Sequence, residues 1–246
     1  MKLYTLGTSH AAAEKGRSCS GSLLEVGGSY YLFDCGADVE AKLVNMDIDP
    51  AHVRAIFISH MHADHVGSIV GMTKRIAHQY NKEGRVSQVF LPEKEAIAAY
   101  MVWLDAMHFD VSNIDRFHMQ GISEGEVYSD ENIKVSAIST RHVMNGKYPS
   151  FAFTLEGEGK RFLYTGDLSC NFSDYPKTVY EKDFDLILSE LVHFNVEKNL
   201  PDIVKTRTKK MVFTHLGPKN VDDLSRVISD FPFEVCVAND GDSFEF

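Results

Sequence analysis

The sequence predicts an α/β fold with two mixed β-sheets, each covered by helices on its outer face. Two observations lead to this prediction. Apolar segments separated by glycine turns, such as Gly27-Gly28, indicate β-hairpins, while other apolar segments alternate with stretches of helical periodicity. Strands of both kinds in one chain are typical of mixed sheets layered against helices. The chain of 246 residues contains no repeat or low-complexity tract, so we expect a single domain over residues 1–246.

In the first half of the chain, strands are expected where apolar residues alternate or run together, and helices where they recur at helical spacing. Gly27-Gly28 separates the second and third strands, and Pro92 opens the helix that follows the fifth. The expected strands cover residues 2–6, 22–26, 30–33, 54–59 and 86–91, and the expected helices cover residues 37–45, 66–80 and 93–106.

In the second half, Gly157-Glu158-Gly159 joins two strands as a hairpin. Short apolar runs without alternation are expected to be strands buried on both faces. The expected strands cover residues 134–139, 150–156, 160–164, 186–189, 211–214, 233–237 and 243–246, and one helix is expected over residues 222–230.

The segment His60-Met61-His62-Ala63-Asp64-His65 places three imidazoles and one carboxylate in a single turn. It follows the apolar run at residues 55–59, so its side chains leave the end of a buried strand. Nitrogen and oxygen ligands at this density suit zinc, with manganese and iron as alternatives. A solvated histidine-rich loop is the other interpretation, but further candidate ligands downstream favour a metal site.

Other candidate ligands also follow predicted strands. Asp34, His142, Asp167 and His215 each come at or after the end of an apolar run, as His60 does. Binding side chains collect on loops that a rigid scaffold positions. We therefore expect these residues to meet at one edge of the fold.

Composition narrows the class of protein. The net charge of −10 argues against a broad basic surface, so nucleic acid is not the expected partner. The four cysteines form no Cys-x-x-Cys pair, no apolar run is long enough to span a membrane, and the first residues read as a strand. These features predict a cytoplasmic protein with no membrane partner.

Taken in order, the motifs resemble those of the metallo-β-lactamase superfamily. The likeness rests on Asp34, the segment at residues 60–65, His142, Thr165-Gly166-Asp167 and Thr214-His215, and it covers nearly the whole chain. It implies a four-layer αβ/βα sandwich with two divalent metal ions at one edge. By the superfamily pattern, the first ion is held by His60, His62 and His142, the second by Asp64, His65 and His215, and both by Asp167.

The same resemblance implies a metal-dependent hydrolase. Two cations of this kind hold a bridging hydroxide as the nucleophile and neutralise charge on a phosphoryl or carbonyl oxygen. Asp64 is expected to orient the nucleophile as well as bind metal, and Asp34 is expected to support the ligands from behind. No cysteine stands at a ligand position, which disfavours hydrolysis of β-lactams. His62 stands where the oxygen-reducing di-iron members carry glutamate, which favours a hydrolase.

A closer likeness is to ribonuclease Z and its phosphodiesterase relatives. It rests on Leu6-Gly7-Thr8-Ser9, Phe33-Asp34-Cys35-Gly36 and Ala238-Asn239-Asp240-Gly241. The stretch over residues 143–166 is too short for the substrate-gripping arm of the usual bacterial enzyme, and Ser189-Glu190-Leu191 and His215-Leu216-Gly217 replace two of its motifs. We therefore predict a phosphodiesterase for a small, anionic phosphodiester. The alternatives are a lactone or thioester hydrolase and a tRNA 3′-end endonuclease.

Several residues have more than one interpretation. Glu190 and His193 follow a predicted strand and are candidates to supply the leaving-group proton, although His193 also fits a surface or supporting histidine. His10 lies in the first loop, which borders the cleft in this superfamily. The basic segment at residues 205–210 is interpreted as a solvated face, with a patch for an anionic substrate as the alternative.

A metal-binding protein without turnover is the alternative class of function. The bridging carboxylate favours the enzyme, because a structural zinc site is closed by four ligands and needs no shared one. The sequence leaves the substrate and the native metal open, and a homodimer is an alternative to a monomer.

Overall fold

The computed structural model describes residues 1–78, 86–109 and 117–246, and its first sheet contains strands from both ends of the chain. β1, β2 and β3 pair antiparallel, β3 to β6 pair parallel, and β14 adds to the free edge of β1, giving the order β14-β1-β2-β3-β4-β5-β6. These strands are β1 (Lys2–Gly7), β2 (Gly21–Val26), β3 (Ser29–Phe33), β4 (Val53–Phe57), β5 (Ser87–Leu91), β6 (Phe117–Gly121) and β14 (Ser243–Glu245).

The second sheet repeats this plan with the remaining strands. Its members are β7 (Gly125–Ser129), β8 (Ile133–Ser139), β9 (Phe151–Gly157), β10 (Lys160–Tyr164), β11 (Phe184–Glu190), β12 (Thr208–Thr214) and β13 (Glu234–Val237). The order is β13-β12-β11-β10-β9-β8-β7, antiparallel from β7 to β10 and parallel from β10 to β13. β8, β10, β11 and β12 therefore run in the same direction and end at the same edge.

Helices cover the outer faces of both sheets. They are α1 (Val39–Asn45), α2 (Ala63–Val66), α3 (Ile69–His78), α4 (Lys94–Ala106), α5 (Val196–Ile203) and α6 (Pro218–Val227), with short 3₁₀ turns at Pro50–His52, Val143–Gly146, Lys177–Tyr180 and Ile228–Asp230. Within the described ranges, no helix combines the length and the apolar character needed to cross a membrane.

Three apolar layers hold the four structural layers together. Phe33, Phe57 and Phe153 belong to the central layer, where the two sheets face each other and the aromatic rings lie 5.2–5.8 Å apart between centroids. One outer layer packs Leu43 of α1 and the buried residues of α3 and α4 against the first sheet, and the other packs Ile203 and Leu224 against the second. The predicted αβ/βα sandwich is confirmed.

Some predicted boundaries differ from the structure. The helix expected over residues 66–80 is two helices, because the Ser68 amide donates to the Cys35 carbonyl at 2.9 Å and leaves the helical ladder. The last two residues of that prediction lie outside the described residues. β6, β7 and α5 were not predicted, because the two strands are largely polar edge segments and α5 contains Pro201.

Candidate metal centre

The seven side chains predicted to bind metal lie together at one edge of the sandwich. In the part of the chain that the structure describes, three groups of side chains each place one nitrogen or oxygen atom per residue within 4.8 Å of one another. The first is His60, His62, His142 and Asp167, the second is Asp64, His65 and His215, and the third joins Asp167 and His215 to His193. The first and second groups each contain the three residues that the sequence resemblance assigned to one ion.

Strand ends from both sheets supply these groups. β4 leads into His60 and His62, and the four-residue helix α2 carries Asp64 and His65. In the second sheet, β8, β10 and β12 lead into His142, Asp167 and His215. Gly166 has φ +54°, and a Cβ there would lie 2.7 Å from the Phe151 carbonyl oxygen, so the turn before Asp167 requires glycine.

Asp167 lies at the centre of the site. Its Oδ2 atom is 3.3 Å from Nε2 of His215, 3.4 Å from that of His65, and 3.6 Å from those of His60 and His142. Imidazoles from the first and second groups therefore face one carboxylate oxygen. This placement fits a carboxylate shared between two cations.

Four of the five imidazole rings in the first and second groups are oriented by partners on their Nδ1 atoms; the exception is His62, whose Nδ1 lies 3.4 Å from Nε2 of His142. Nδ1 of His65 lies 2.7 Å from Asp34, that of His60 lies 3.0 Å from the Ser59 hydroxyl, and that of His142 lies 3.2 Å from the Leu168 carbonyl. Nδ1 of His215 lies 2.7 Å from the Ser20 hydroxyl. Such contacts fix the ring and leave Nε2 free to bind metal.

Asp34 is the buried support that the sequence suggested. Besides His65, it accepts hydrogen bonds from the Ser59 amide at 2.6 Å, the Ser59 hydroxyl at 2.7 Å and the Tyr164 hydroxyl at 2.6 Å. Its backbone has φ +58°, a left-handed conformation that aspartate tolerates better than most residues. Asp34 thus links the ends of β3, β4 and β10 behind the ligands.

Buried polar atoms of the predicted ligands lack protein partners. Among the described residues, Nε2 of His60, Nε2 of His65 and Oδ1 of Asp167 are buried without a hydrogen bond. Leaving a buried polar atom unpaired costs free energy unless something else binds it. Nitrogen and oxygen donors in this number fit zinc, manganese or iron, so the residues present suit the two implied divalent cations.

The charge balance of the site also suits cations. Burial lowers the pKa of His60 and of His142, which favours their neutral, metal-binding form. Burial alone would raise the pKa of Asp167, but the neighbouring His215 and His65 outweigh it and hold the pKa well below its ordinary value. For His65, the adjacent Asp167 and Asp34 outweigh burial and raise the pKa well above its ordinary value.

One side of the site is accessible. His60 and His65 are fully buried, whereas His62 is exposed and His142 and His193 are half-buried. A ligand can therefore approach the site past His62, His142 and His193. The first loop contacts the second group, where the Ala11 amide donates to Oδ2 of Asp64 at 2.8 Å.

Glu190 and His193, the candidate proton donors, form a pair beside Asp167. Nδ1 of His193 lies 3.2 Å from Oε1 of Glu190 and 3.7 Å from Oδ2 of Asp167. Glu190 is buried and also accepts from the amides of Leu168 and Val192. Burial lowers the pKa of His193, but its contact with Glu190 outweighs burial and raises the pKa to about 9.

His10 borders the site without joining any of these groups. Its ring lies 6.4 Å from that of His215, and its buried Nδ1 has no hydrogen-bond partner among the described residues. His52, His108 and His118 lie outside every candidate ligand group that the described ranges contain, and the side chain of His78 lies outside those ranges.

The basic segment at residues 205–210 lies mostly at the start of β12, away from the metal ligands at its end. Its four cations are each paired with a carboxylate: Lys205 with Asp202, Arg207 with Asp183, Lys209 with Asp185, and Lys210 with Glu234. This arrangement fits the solvated face that the sequence suggested.

Sequence reasoning missed the residues that hold the ligands in place. Ser20, Ser59 and Tyr164 contact His215, His60 and Asp34. Ser59 could have been found from its position directly before His60. Ser20 and Tyr164 carry no local signal, because their contacts join residues more than a hundred positions apart.

Comparison with known proteins agrees with this architecture. The model of a protein family described as "Anti-Pycsar protein Apyc1" matches residues 1–226. The chain belongs to the Apyc1 family. The predicted membership of the metallo-β-lactamase superfamily, close to ribonuclease Z, is also confirmed. The chain is thus a metallo-hydrolase of the metallo-β-lactamase fold, with a cluster of histidine and aspartate side chains that could bind metal.

Individual relatives place this Apyc1-family chain near ribonuclease Z. It is 29% identical to "Ribonuclease Z" of Methanocaldococcus jannaschii over 156 residues, which cover 62% of this chain and 46% of that protein. The match thus spans about half the length of that curated relative. The short form of human tRNase Z superposes with a TM-score of 0.78 at 20% identity, covering 100% of this chain and 99% of the other. YhfI from Bacillus subtilis gives 0.77 at 18%, covering 99% of each chain.

Proposed function

We propose that this chain is a metal-dependent phosphodiesterase that cleaves a small, anionic phosphodiester with two divalent cations, of which zinc is the first choice. Residues 1–246 act as one hydrolase domain in this proposal. The observation that carries it is the pair of ligand groups facing one oxygen of Asp167 at an accessible sheet edge. We extend the proposal to the anti-Pycsar role that the description of the Apyc1 family names.

The residues have distinct tasks in this reaction. His60, His62 and His142 would hold one cation, Asp64, His65 and His215 the other, and Asp167 would contact both. When bound, such a pair supplies an activated water nucleophile and neutralises charge on the phosphoryl oxygens. Asp34, Ser59, Ser20 and the Leu168 carbonyl keep the rings aimed inward, so the ligands need little rearrangement. Asp64, held by the Ala11 amide, is placed to orient the nucleophile.

The length of one loop supports a small substrate. After His142 the chain returns to β9 within a few residues, and the loop is closed by the Thr140 amide bonding the Ser150 carbonyl at 2.8 Å. β9 and β10 then lead directly to Asp167. This stretch, which the structure describes throughout, contains no extended arm, and the basic segment at residues 205–210 is neutralised by its carboxylate partners.

The second candidate is cleavage of precursor tRNA at its 3′ end. The observation that favours it is the sequence similarity to proteins named Ribonuclease Z. The acidic composition does not exclude it, because a small local surface would suffice to bind RNA. Nucleic acid therefore stays among the candidate substrates.

A substrate panel separates these functions. The metal-loaded protein is expected to hydrolyse bis-(p-nitrophenyl) phosphate and to leave precursor tRNA, a lactone, a thioester and a β-lactam nearly untouched. Initial rates at equal enzyme concentration give the comparison, and the His62→Ala variant is the metal-site control. His118→Ala, on strand β6 away from the ligand groups, should retain nearly full activity. Efficient cleavage of precursor tRNA with no action on the diester would replace the first function by the second.

His193 is proposed to give its proton to the leaving group, with Glu190 holding the ring. A poor alkoxide leaving group needs that proton, whereas p-nitrophenolate leaves without it. His193→Gln is therefore expected to slow an alkyl phosphodiester by about 10²-fold or more and the p-nitrophenyl diester far less. The measurement is kcat for both substrates in both proteins. Equal losses would show that His193 acts on the site as a whole and does not protonate the leaving group.

A further inference from the structure

One carboxylate outside the ligand groups joins the two loops that carry His142 and Asp167. Oδ2 of Asp174 accepts a hydrogen bond from the Arg141 amide at 2.7 Å, directly before His142. The same carboxylate accepts from the Ser169 amide at 3.0 Å and from the Ser169 hydroxyl at 2.6 Å, two residues after Asp167. Asp174 thus spans the ends of β8 and β10, which are separated in the sheet by β9.

A second contact between these two loops is made by the side chain of His142. Nδ1 of His142 lies 3.2 Å from the Leu168 carbonyl oxygen, and the Leu168 amide is held by Glu190 at 2.9 Å. Glu190 therefore fixes the loop of Asp167 from one side. The Arg141 amide, directly before His142, is tied to that loop through Asp174, so Asp174 is a second link between His142 and the loop of Leu168.

We propose that Asp174 is a positioning residue for the metal subsite of His60, His62 and His142, and that it has no such role for the subsite of Asp64, His65 and His215. The latter ligands are supported elsewhere, by Asp34, Ser20 and the Ala11 amide, and the shared Asp167 is held independently of Asp174 by Glu190, which binds the amide of the adjacent Leu168. Asp174 contacts none of these supports in the described structure. The inference rests on the proposed two-metal function, since it concerns the affinity of one of the two subsites.

Removing the Asp174 carboxylate should therefore weaken the binding of one cation selectively. Loss of a group that orients a metal ligand typically lowers metal affinity by about 10- to 100-fold. Asp174→Ala is expected to weaken one of the two binding steps in a zinc titration against a competing chelator by this factor. Asp174→Asn keeps one acceptor oxygen and should give an intermediate affinity. Asp185→Ala is the matched control, because Asp185 also accepts the amide of an arginine, Arg161 at 2.9 Å, but lies at the start of β11.

A double-mutant cycle assigns the weakened step. In a His215→Ala background, where the remaining cation depends on His142, Asp174→Ala should still lower the zinc affinity by about 10- to 100-fold. In a His142→Ala background the same substitution should leave the affinity of the remaining cation unchanged. Thermal unfolding of each metal-free variant checks that the proteins are folded, and Ser169→Ala provides a milder loss of the same link.

The outcomes separate this inference from the proposed function. A wild-type protein that binds fewer than two zinc ions overturns both. If the wild type binds two ions and Asp174→Ala leaves both affinities unchanged, or lowers them equally in both backgrounds, only the positioning role is overturned. A loss of zinc affinity that Asp174→Ala causes only in the His215→Ala background supports the positioning role.

Discussion

Replacing Asp167 with alanine is expected to abolish the binding of both cations at micromolar metal and to lower kcat by about a thousandfold. Asp167 faces imidazoles of both ligand groups from one oxygen, at 3.3–3.6 Å. Without it, two cations would face each other with no negative charge between them, and their repulsion would rise steeply in this buried site. Removing one partner from a buried charge cluster costs about 3–5 kcal/mol. Because the transition state depends on both cations, we expect the activation barrier to rise by a similar amount, and about 4 kcal/mol corresponds to a thousandfold loss in rate.

The measurement is the number of metal ions per chain by elemental analysis, together with the steady-state rate on a phosphodiester. Asp185→Ala again serves as the control, because its carboxylate bonds Lys209 and the Arg161 amide far from the ligands. An Asp167→Ala protein that keeps two tightly bound ions would show that the carboxylate does not hold them, and the two-metal proposal would then need another shared ligand.

The meeting of the candidate metal ligands at one edge could be predicted from sequence because each one is marked locally. His60 follows a buried apolar run, and His142, Asp167 and His215 come at or shortly after the ends of other strands. Strands that run in one direction end at one edge, so residues far apart in sequence meet there without any knowledge of side-chain contacts. The layer architecture followed from the same hydrophobic patterns.

The residues that orient the ligands could not be predicted in this way. Asp174 and Ser20 are a plain aspartate and a plain serine in the sequence, and their roles depend on which loops pack against each other. The break between α2 and α3 has the same origin, since it comes from one hydrogen bond to the Cys35 carbonyl on another segment. Polar edge strands such as β6 are likewise weak patterns that gain their structure from pairing with a neighbour.

A carboxylate that accepts several hydrogen bonds can support the fold, the metal site or both, and buried Asp34 and half-buried Asp130 allow these roles to be separated. Asp34 accepts four hydrogen bonds at the metal edge of the central core. At the opposite end of the same core, Asp130 accepts from the hydroxyls of Tyr31 at 2.7 Å and Tyr128 at 2.8 Å and from two backbone amides. Both carboxylates bind a tyrosine hydroxyl and a backbone amide, but only Asp34 contacts a predicted ligand.

Asparagine is a more informative substitution than alanine at both positions. It keeps the size of the side chain and tolerates the left-handed backbone of Asp34, but it turns one acceptor oxygen into a donor. At Asp34 this donor faces Ser59, His65 or Tyr164, all of which need an acceptor. In the metal-free proteins, each substitution should lower the free energy of unfolding by about 3 kcal/mol, which is roughly a 10 °C fall in Tm for a chain of this size.

The two variants should differ only when metal is added. Asp34→Asn loses the contact that aims His65, so its zinc affinity should fall by about 10- to 100-fold, while Asp130→Asn should bind zinc as the wild type does. Because a ligand that binds only the folded state raises Tm by mass action, zinc should restore less of the lost stability in Asp34→Asn than in Asp130→Asn. Equal zinc affinities in the two variants would mean that Asp34 stabilises the sandwich alone, and that His65 is aimed by the packing around it.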